Sequence, residues 1–192
     1  MRDVDIRRSL RAEMNLVHRN EPDTLVLDEL ALCQGTARVD VAVVNGVIHG
    51  FEIKSEHDTL ARLANQAEVY GRALDLVTIV TSASHAERVK KAVPAWWGIM
   101  FAERADCAVR IVPVREPRDN PGVDPLAVAQ LLWRDEALAV LEDYGLAAGV
   151  RSKPRRALWE RLAEGLTSDE LSSVVRERLK HRQGWRGAAG SR

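Results

Sequence analysis

Two acidic residues and one lysine interrupt runs of β-branched and apolar residues. Asp40 lies within the run 39–44, and Glu52 and Lys54 lie within the run 51–55. Charged side chains are rarely fully buried unless they are paired or bind a metal ion. Two close carboxylates repel each other, and a hard cation such as Mg²⁺ or Mn²⁺ relieves that repulsion. These residue types suit metal-assisted phosphodiester hydrolysis, in which an ammonium stabilises phosphoryl charge or orients the attacking water.

A predicted β-hairpin would bring the two carboxylates together. Asn45-Gly46 separates the β-branched runs 37–44 and 47–55. This dipeptide is the strongest short-range hairpin signal, because both turn positions tolerate positive φ. Asp40 and Glu52 are nearly equidistant from the turn, so they should lie close together across the ladder.

The lysine belongs to the same predicted patch of sheet. Side chains alternate along a strand, so Glu52 and Lys54 should point to one face. Glu29, on the preceding strand or at a helix end, would add a third carboxylate. The alternative interpretation is a cross-strand salt bridge, in which Lys54 neutralises Asp40 and Glu52.

The surrounding pattern predicts the elements that would position these residues. Apolar spacing predicts a helix over residues 3–19, and a capping box at Ser55 and Asp58 predicts a helix over 59–74. The remaining predicted elements of the first 115 residues are strands at 25–30, 76–81, 97–101 and 109–114 and a helix at 85–93. The order α-β-β-β-α-β-α-β-β predicts an α/β or α+β domain with a mixed sheet.

The rest of the chain is predicted to be helical. Residues 115–125 contain three prolines and a glycine and are interpreted as a linker. Candidate helices follow at residues 126–133, 135–144, 155–166 and 169–182, the last with a cap supplied by the segment 167–170. The predicted domains are therefore a core at 1–115, a helical basic C-terminal extension at 126–183, and a disordered tail at 184–192.

Charge is unevenly distributed over the chain, although its formal net charge is zero. Residues 1–150 contain 17 basic and 23 acidic residues, whereas residues 151–192 contain 11 basic and 5 acidic residues. A basic appendage of this kind can bind a polyanion, and Lys and Arg dominate phosphate contacts. Lys153, Arg155 and Arg156 are the candidates, and a solvated basic surface that complements the acidic body is the alternative.

Composition and missing motifs exclude several classes of protein. No apolar run approaches the length of a membrane span, and the first residues lack the apolar region of a secretory signal. Two cysteines without a CxxC pair argue against a disulfide framework or a cysteine zinc site, and they favour a cytoplasmic location. The chain also lacks the sequences GxxxxGK[ST], GxGxxG, HExxH and GxSxG. Its five histidines have no ligand spacing.

Taken together, Asp40, Glu52-Ile53-Lys54 and a following helix with Gln66 and Tyr70 resemble the PD-(D/E)XK nuclease superfamily. The resemblance covers residues 29–81 and implies a restriction-endonuclease-like αβββαβ core. A longer pattern resembles a short bacterial and phage branch; it runs Gly50 to Ser55, Asp58 to Leu60, Arg62-Leu63, Gln66, Tyr70 and Pro94-x-Trp96-Trp97-Gly98. Val39, not proline, precedes Asp40, and many members of the superfamily also lack that proline.

The resemblance implies a metal site on four residues. Asp40 and Glu52 would ligate Mg²⁺ or Mn²⁺ together with the carbonyl oxygen of Ile53. Glu29 matches the leading acidic residue of the superfamily and would bind the ion directly or through water.

It also implies roles for residues around the ion. Lys54 would act on the water or the phosphate, and Gln66 would orient Lys54 or the substrate backbone. Tyr70 lies on the same helical face as Gln66, with core packing as an equal alternative. Arg62 would contact phosphate or be merely solvated. The tandem tryptophans at 96 and 97 could stack on bases, although they more often cap a sheet core.

The function implied by the resemblance is that of a metal-dependent nuclease that hydrolyses DNA. DNA is favoured over RNA by the habit of the superfamily, and no membrane partner is expected. The oligomeric state is not predicted. The alternative is a non-catalytic module that binds nucleic acid or protein and retains the nuclease fold.

Overall fold

A mixed β-sheet forms the centre of the computed structural model, which describes residues 1–105 and 108–183. The strands lie side by side in chain order. β3, β4 and β5 are parallel to one another and the other neighbouring pairs are antiparallel, which confirms the predicted α+β class with a mixed sheet. The strands are β1 (Leu25–Leu32), β2 (Ala37–Val44), β3 (Ile48–Lys54), β4 (Leu76–Ser82), β5 (Gly98–Ala105) and β6 (Ala108–Arg115).

Helices cover both faces of this sheet. They are α1 (Asp3–Val17), α2 (Leu63–Ala73), α3 (Ala86–Ala92), α4 (Pro125–Ala129), α5 (Arg134–Asp143), α6 (Arg155–Gly165) and α7 (Ser168–His181). The chain therefore begins with the predicted order α-β-β-β-α-β. Helix α4 is shorter than predicted, because the chain turns after Ala129 through Leu131 N–H to Val128 O and Leu132 N–H to Ala129 O hydrogen bonds.

The two faces of the sheet are covered by different parts of the chain. Ile6, Leu10 and Met14 of α1 are buried against one face, in a cluster with Phe51 and Ile53 of β3. The opposite face packs against α2 and the C-terminal helices in a second, larger cluster. Residues two apart on a strand share a face, so the alternation along β3 places Glu52 and Lys54 opposite to α1.

The C-terminal helices share their hydrophobic core with the sheet. Leu158, Leu171 and Leu179 belong to the same buried cluster as Val39 and Ile79. Thr167 caps α7 as predicted: its hydroxyl oxygen accepts from the N–H of Glu170 at 3.3 Å. The division into a core at 1–115 and an extension at 126–183 stays a prediction, and the tail predicted at 184–192 lies outside the described residues.

The hairpin of β2 and β3 is confirmed, but its turn differs from the prediction. Val44 pairs with Ile48, so the connection has three residues, and neither Asn45 nor Gly46 has positive φ. Instead, the side chain of Asn45 closes the turn: its Oδ1 accepts from the N–H of Val47 at 3.3 Å. The turn therefore needs no left-handed residue.

The helix after the hairpin begins later than predicted, at Leu63 rather than at residue 59. Asp58 does accept from the Ser55 backbone N–H at 2.8 Å and from the Ser55 hydroxyl at 2.6 Å. However, the Asp58 N–H donates to the Ser55 carbonyl oxygen at 3.2 Å, which closes a separate turn. The predicted capping box is thus a loop ahead of the helix.

The tandem tryptophans belong to the core side of the sheet, as the more common alternative predicted. Trp97 is fully buried and stacks on Tyr70, with 5.9 Å between the ring centroids. Trp96 packs edge-on against Trp97 and is half-buried. Among the described residues, no helix combines the length and apolar character that a membrane crossing requires.

Candidate active site at the open end of the hairpin

The two strands of the hairpin separate at the position of the predicted carboxylates. The β2–β3 ladder extends from the turn to the pair Val41–Phe51 and ends there. Asp40 and Glu52 occupy the next position in this register, as their spacing predicted. The Asp40 side chain replaces the backbone hydrogen bond between the strands at this point, because its Oδ2 accepts from the backbone N–H of Ile53 at 2.7 Å.

Glu52 is a buried carboxylate with a full set of donors. Its side chain is 2% exposed. Lys54 Nζ and Gln66 Nε2 each donate to its Oε1 at 2.6 Å, and the Tyr70 hydroxyl contacts its Oε2 at 2.5 Å. These donors compensate for the removal of the charge from water. The ion pair of Glu52 and Lys54 thus lies within β3, whereas the alternative interpretation placed it across strands.

Tyr70 combines packing with a polar contact. Its ring is fully buried against Trp97, and its single hydroxyl proton is donated to Glu52 Oε2, while the Arg38 carbonyl oxygen lies 2.8 Å from the same hydroxyl. Burial, followed by the charge of Glu52, raises the pKa of the Tyr70 phenol, so the group stays a protonated donor. The core-packing alternative for Tyr70 is therefore realised, and its hydroxyl contacts Glu52 as well.

Gln66 contacts the carboxylate rather than the lysine directly. Its Nε2 donates to Glu52 Oε1 and approaches the Tyr70 hydroxyl at 3.2 Å. Its Oε1 is buried and has no hydrogen-bond partner among the described residues. An unpartnered acceptor beside a pocket suits a water molecule or another donor brought by a ligand.

Asp40 is paired with an arginine from the first helix. Nη2 of Arg7 donates to Asp40 Oδ1 at 2.7 Å, and Nη1 of Arg7 donates to the Asp40 carbonyl oxygen at 2.8 Å. Despite this cation, burial and then the charge of Glu52 raise the pKa of Asp40 to about 6. Burial therefore contributes most to this shift, and the neighbouring charge of Glu52 adds to it.

Glu29 lies on β1 beside this pair in an unusual backbone conformation. Its φ is 61°, and the β1–β2 ladder skips the Glu29–Asp40 position without a change of register. Left-handed backbone in a non-glycine residue is uncommon and often marks a functional site. The Glu29 carboxylate accepts from Arg7 at 2.9 Å and from Arg38 at 3.2 Å.

A pocket of about 610 Å³ opens over these groups. It brings together most of the predicted site residues, namely Glu29, Asp40, Glu52, Ile53, Lys54, Arg62 and Gln66. Tyr70 is absent from the lining but contacts Glu52 from below. Exposed Arg62 stands at the start of α2 and lines the pocket, and its side chain makes no hydrogen bond to the described residues that would assign it a role.

The three basic residues of the C-terminal segment do not line this pocket. Arg155 Nη2 lies 3.5 Å from Gln34 Oε1, and Gln34 precedes Gly35, which does line it. Arg156 is paired with Glu160 at 2.8 Å, and exposed Lys153 lies just before α6. The basic segment therefore adjoins the rim of the pocket at one point.

The donor set around Asp40 and Glu52 fits a divalent cation only in part. Within residues 1–105 and 108–183, no group of three or more His, Cys, Asp or Glu side chains is placed to hold an ion. Two of the carboxylates in the pocket, those of Asp40 and Glu52, lie at facing positions of β2 and β3. Carboxylate oxygens are the ligand type that Mg²⁺ and Mn²⁺ prefer.

Sequence reasoning missed two arginines of the site. Arg7 was interpreted as one of the polar residues between the apolar positions of α1, and Arg38 was not singled out. Alternation along β2 and the amphipathic pattern of α1 indicate exposure, but they do not indicate which carboxylate a long side chain reaches. The acidity of Glu29 and Asp40 was the available signal, since carboxylates gathered near a sheet edge favour a neighbouring cation.

Comparison with known proteins finds a matching family, a relative and a similar structure. Residues 11–187 match the family described as Bacteriophage P4 protein cII. Protein cII of Enterobacteria phage P4 is 26% identical over 160 residues, which are 83% of this chain and 60% of that protein. A solved structure, of a protein of unknown function from Silicibacter pomeroyi, is 21% identical with a TM-score of 0.43, over 78% of this chain and 92% of that one.

Proposed function

The chain belongs to the bacteriophage P4 protein cII family, and for it we propose a metal-dependent nuclease activity of the PD-(D/E)XK type. It spans 60% of the length of the phage P4 relative, so this proposal concerns the present chain only. The proposed reaction is hydrolysis of a phosphodiester bond in DNA. Asp40, Glu52 and Lys54 are its central residues.

One observation carries the proposal: two carboxylates and an ammonium converge where a buried hairpin opens into a pocket. Glu52 and Lys54 are 2% and 9% exposed in their side chains, which is costly for charged groups without a function or a partner. The element order up to β4 and the residues Asp40, Glu52, Lys54 and Gln66 agree with the sequence pattern that resembles this superfamily. Fold alone does not imply function, so the proposed activity rests on the residues of the pocket.

Mg²⁺ or Mn²⁺ would be held by Asp40, Glu52 and the Ile53 carbonyl oxygen, with Glu29 beside them. When bound, such an ion supplies polarisation of a phosphate oxygen and a lower pKa of water. Asp40 binds a cation only when it is ionised, and its pKa of about 6 allows that at neutral pH.

The remaining residues would position the Glu52 carboxylate and stabilise negative charge on the phosphate. Tyr70 and Gln66 hold the Glu52 carboxylate in one orientation through hydrogen bonds of 2.5 and 2.6 Å. Lys54 supplies a buried positive charge at the same carboxylate, ready to face a phosphoryl oxygen in the pocket. A preorganised charge in a low-dielectric site stabilises developing charge more strongly than it would in water.

DNA is the proposed partner, with RNA as a second candidate substrate. The acidic body repels a polyanion, so electrostatic attraction has to come from basic surfaces beside the pocket. Arg38 and Arg62 are exposed at the pocket itself. The segment with Lys153, Arg155 and Arg156 adjoins the rim through Gln34.

A second candidate function, a non-catalytic binding module with this fold, is favoured by a different observation. Both oxygens of Asp40 and both oxygens of Glu52 already accept hydrogen bonds from the protein. A site saturated by its own donors needs no ion to be stable. Such a module would bind nucleic acid or protein without cleaving it.

Cleavage of labelled single- and double-stranded DNA, with Mg²⁺ or Mn²⁺ and with a chelator, tests the proposal. Glu52→Gln, purified in the same way, separates intrinsic activity from a contaminating nuclease, and Glu68→Gln is an exposed control on α2. We expect cleavage by the wild type and Glu68→Gln, and none by Glu52→Gln. Binding of DNA without cleavage under all these conditions would favour the non-catalytic module.

The proposed DNA surface has its own test. Neutralising the three basic residues of the C-terminal segment together should weaken DNA binding about equally for all sequences and flatten its salt dependence, because fewer counterions are released. A matched control neutralises three exposed basic residues of α3, namely Arg88, Lys90 and Lys91. An unchanged slope of affinity against salt in the first variant would assign the basic segment to another role.

A further inference from the structure

The Arg7 side chain joins both pocket carboxylates that lie on β1 and β2. Its guanidinium contacts Asp40 Oδ1 at 2.7 Å, the Asp40 carbonyl oxygen at 2.8 Å and Glu29 Oε1 at 2.9 Å. Its Nε also lies 3.5 Å from Asp3 Oδ1. The side chains of Arg7 and Asp40 are only 21% and 20% exposed. Arg7 is therefore the cation that is paired with Asp40 in this structure.

This contact uses the carboxylate that a metal ion would need. Asp40 Oδ2 accepts from the Ile53 N–H and Oδ1 accepts from Arg7, so a guanidinium lies directly against one oxygen of the proposed metal ligand. A guanidinium has donors but no acceptor, so it cannot ligate the ion, and it competes with the ion for the negative charge of Asp40. Two cations at one partly buried oxygen would also repel each other strongly.

Helix α1 does not depend on Arg7 for its position. Ile6, Leu10 and Met14 bury its apolar face against the sheet. One turn further along, Arg11 forms a separate ion pair with Asp28. Arg7 can therefore leave Asp40 by rotating its side chain while α1 stays in place.

We propose that Arg7 is a built-in competitor for the divalent cation, which keeps the site neutralised until the ion displaces its guanidinium from Asp40. This inference rests on the proposed function, and it adds a regulatory element to it. The cost of releasing Arg7 lowers the affinity for the ion, so the metal-bound form is reached only at higher ion concentrations. The position of the Arg7 side chain is thereby coupled to the occupancy of the site.

Calorimetric titration with Mn²⁺ tests the competition. The variants are Arg7→Gln and, as a matched control on the same helix, Arg11→Gln. Removing a competitor should tighten Mn²⁺ binding by roughly tenfold, within the range usual for two coupled ligands. Arg11→Gln should bind like the wild type, because its partner Asp28 does not line the pocket.

The outcomes separate this inference from the proposed function. Equal Mn²⁺ affinity in Arg7→Gln and wild type, or weaker binding by Arg7→Gln, overturns the competitor role and leaves the nuclease proposal intact. Absence of Mn²⁺ binding in both proteins overturns the two proposals together. Binding by Arg7→Gln alone supports the inference in its strongest form.

A second measurement avoids any folding defect of the variant. Magnetic resonance of the arginine side chains in the wild type follows the Nη–H signals of Arg7 during titration with Mg²⁺, with Arg7→Lys used for assignment. The hydrogen-bonded Arg7 signals should shift or broaden as the ion binds, while those of Arg11 stay unchanged. Arg7 signals that stay constant while the ion saturates its site would overturn the inference.

Discussion

The two ends of the β2–β3 hairpin differ in how they treat polar groups. At the closed end, His49 stacks on Phe51 with 4.1 Å between ring centroids, and its Nε2 contacts the Thr78 hydroxyl at 2.8 Å. Burial, followed by the charge of His18, lowers the pKa of His49 to about 4, so the ring is neutral. The ladder is continuous there, and the polar group is retained without charge.

At the open end, charged side chains are buried or half-buried and the β2–β3 ladder ends. Asp40 and Glu52 stand one step beyond the last pair, and side chains from α1 and α2 supply the donors that the backbone no longer provides. The pKa of Asp40 moves up rather than down, to about 6. In this hairpin, buried charge thus lies where the pairing of β2 with β3 stops and side chains from α1 and α2 supply donors, while β3 stays paired with β4.

Lys54→Ala should give the largest effect, a loss of turnover. Lys54 lies at the open end of the hairpin, so the closed end should be unaffected. Loss of one electrostatic group of this kind costs about 10²–10³ in rate. Mn²⁺ affinity should stay nearly unchanged, because the proposed ligands are untouched. Turnover at saturating DNA measures the loss of rate, and calorimetry measures the Mn²⁺ affinity. The control is Lys90→Ala, at an exposed position. Turnover like that of the wild type would remove Lys54 from the mechanism.

The two ends should also respond to pH with opposite signs in the absence of metal. A folded-state pKa of about 4 for His49 means that the folded protein loses stability as pH falls below 6.5. His49→Gln should therefore gain stability relative to the wild type on going from pH 6.5 to 4, by up to about 3 kcal/mol.

Asp40→Asn should show the reverse trend. The Asp40 pKa of about 6 lies above its ordinary value of 3.8, so the wild type loses stability as pH rises through this window. The variant should gain stability relative to the wild type from pH 4 to 6, by about 2–3 kcal/mol. Urea unfolding at several pH values measures both variants, and trends of the same sign in both would break the comparison.

Tyr70→Phe should lower the free energy of unfolding, because it removes a hydrogen bond at the open end of the hairpin. The change removes the hydroxyl that contacts Glu52 Oε2, and a hydrogen bond to a charged group contributes about 1.5–3 kcal/mol. Tyr144→Phe is a matched control, because Tyr144 is 44% exposed. Denaturant unfolding measures both, and equal stability of the two variants would mean that Glu52 does not depend on this donor.

Gly50→Ala should give the smallest of these effects, and it probes packing at the closed end. An added Cβ would lie 2.6 Å from Leu74 Cδ1 and 3.0 Å from Val39 Cγ2, so the core has to shift. Such overpacking costs about 1–3 kcal/mol. Gly46→Ala, in the turn with no atom within 4 Å, should be nearly neutral. Thermal unfolding of the two variants compares them directly.

Local pattern was sufficient to predict the hairpin and the approach of its carboxylates. Strand alternation and distance from the turn are local properties, and they placed Asp40 and Glu52 in adjacent register. The same reasoning could not place the start of α2. The Ser55–Asp58 contacts satisfy a capping spacing, yet they close a turn of their own instead.

Long-range contacts set the parts of the site that pattern could not predict. Arg7 and Asp40 are 33 residues apart, and only the docking of α1 on the sheet brings them together. The positive φ of Glu29 has no signal in its residue type, because left-handed backbone favours glycine or asparagine. Tertiary packing overrides local preference at both positions, and both lie at the proposed site.

A crystal structure of the protein soaked in Mn²⁺, with anomalous scattering recorded at the manganese edge, would show directly whether the pocket carboxylates share an ion. We expect an anomalous peak between the carboxylates of Asp40 and Glu52, with Arg7 moved away from Asp40 Oδ1. No peak there at Mn²⁺ concentrations that saturate ordinary nuclease sites, with Arg7 still bound to Asp40, would contradict the proposed metal site.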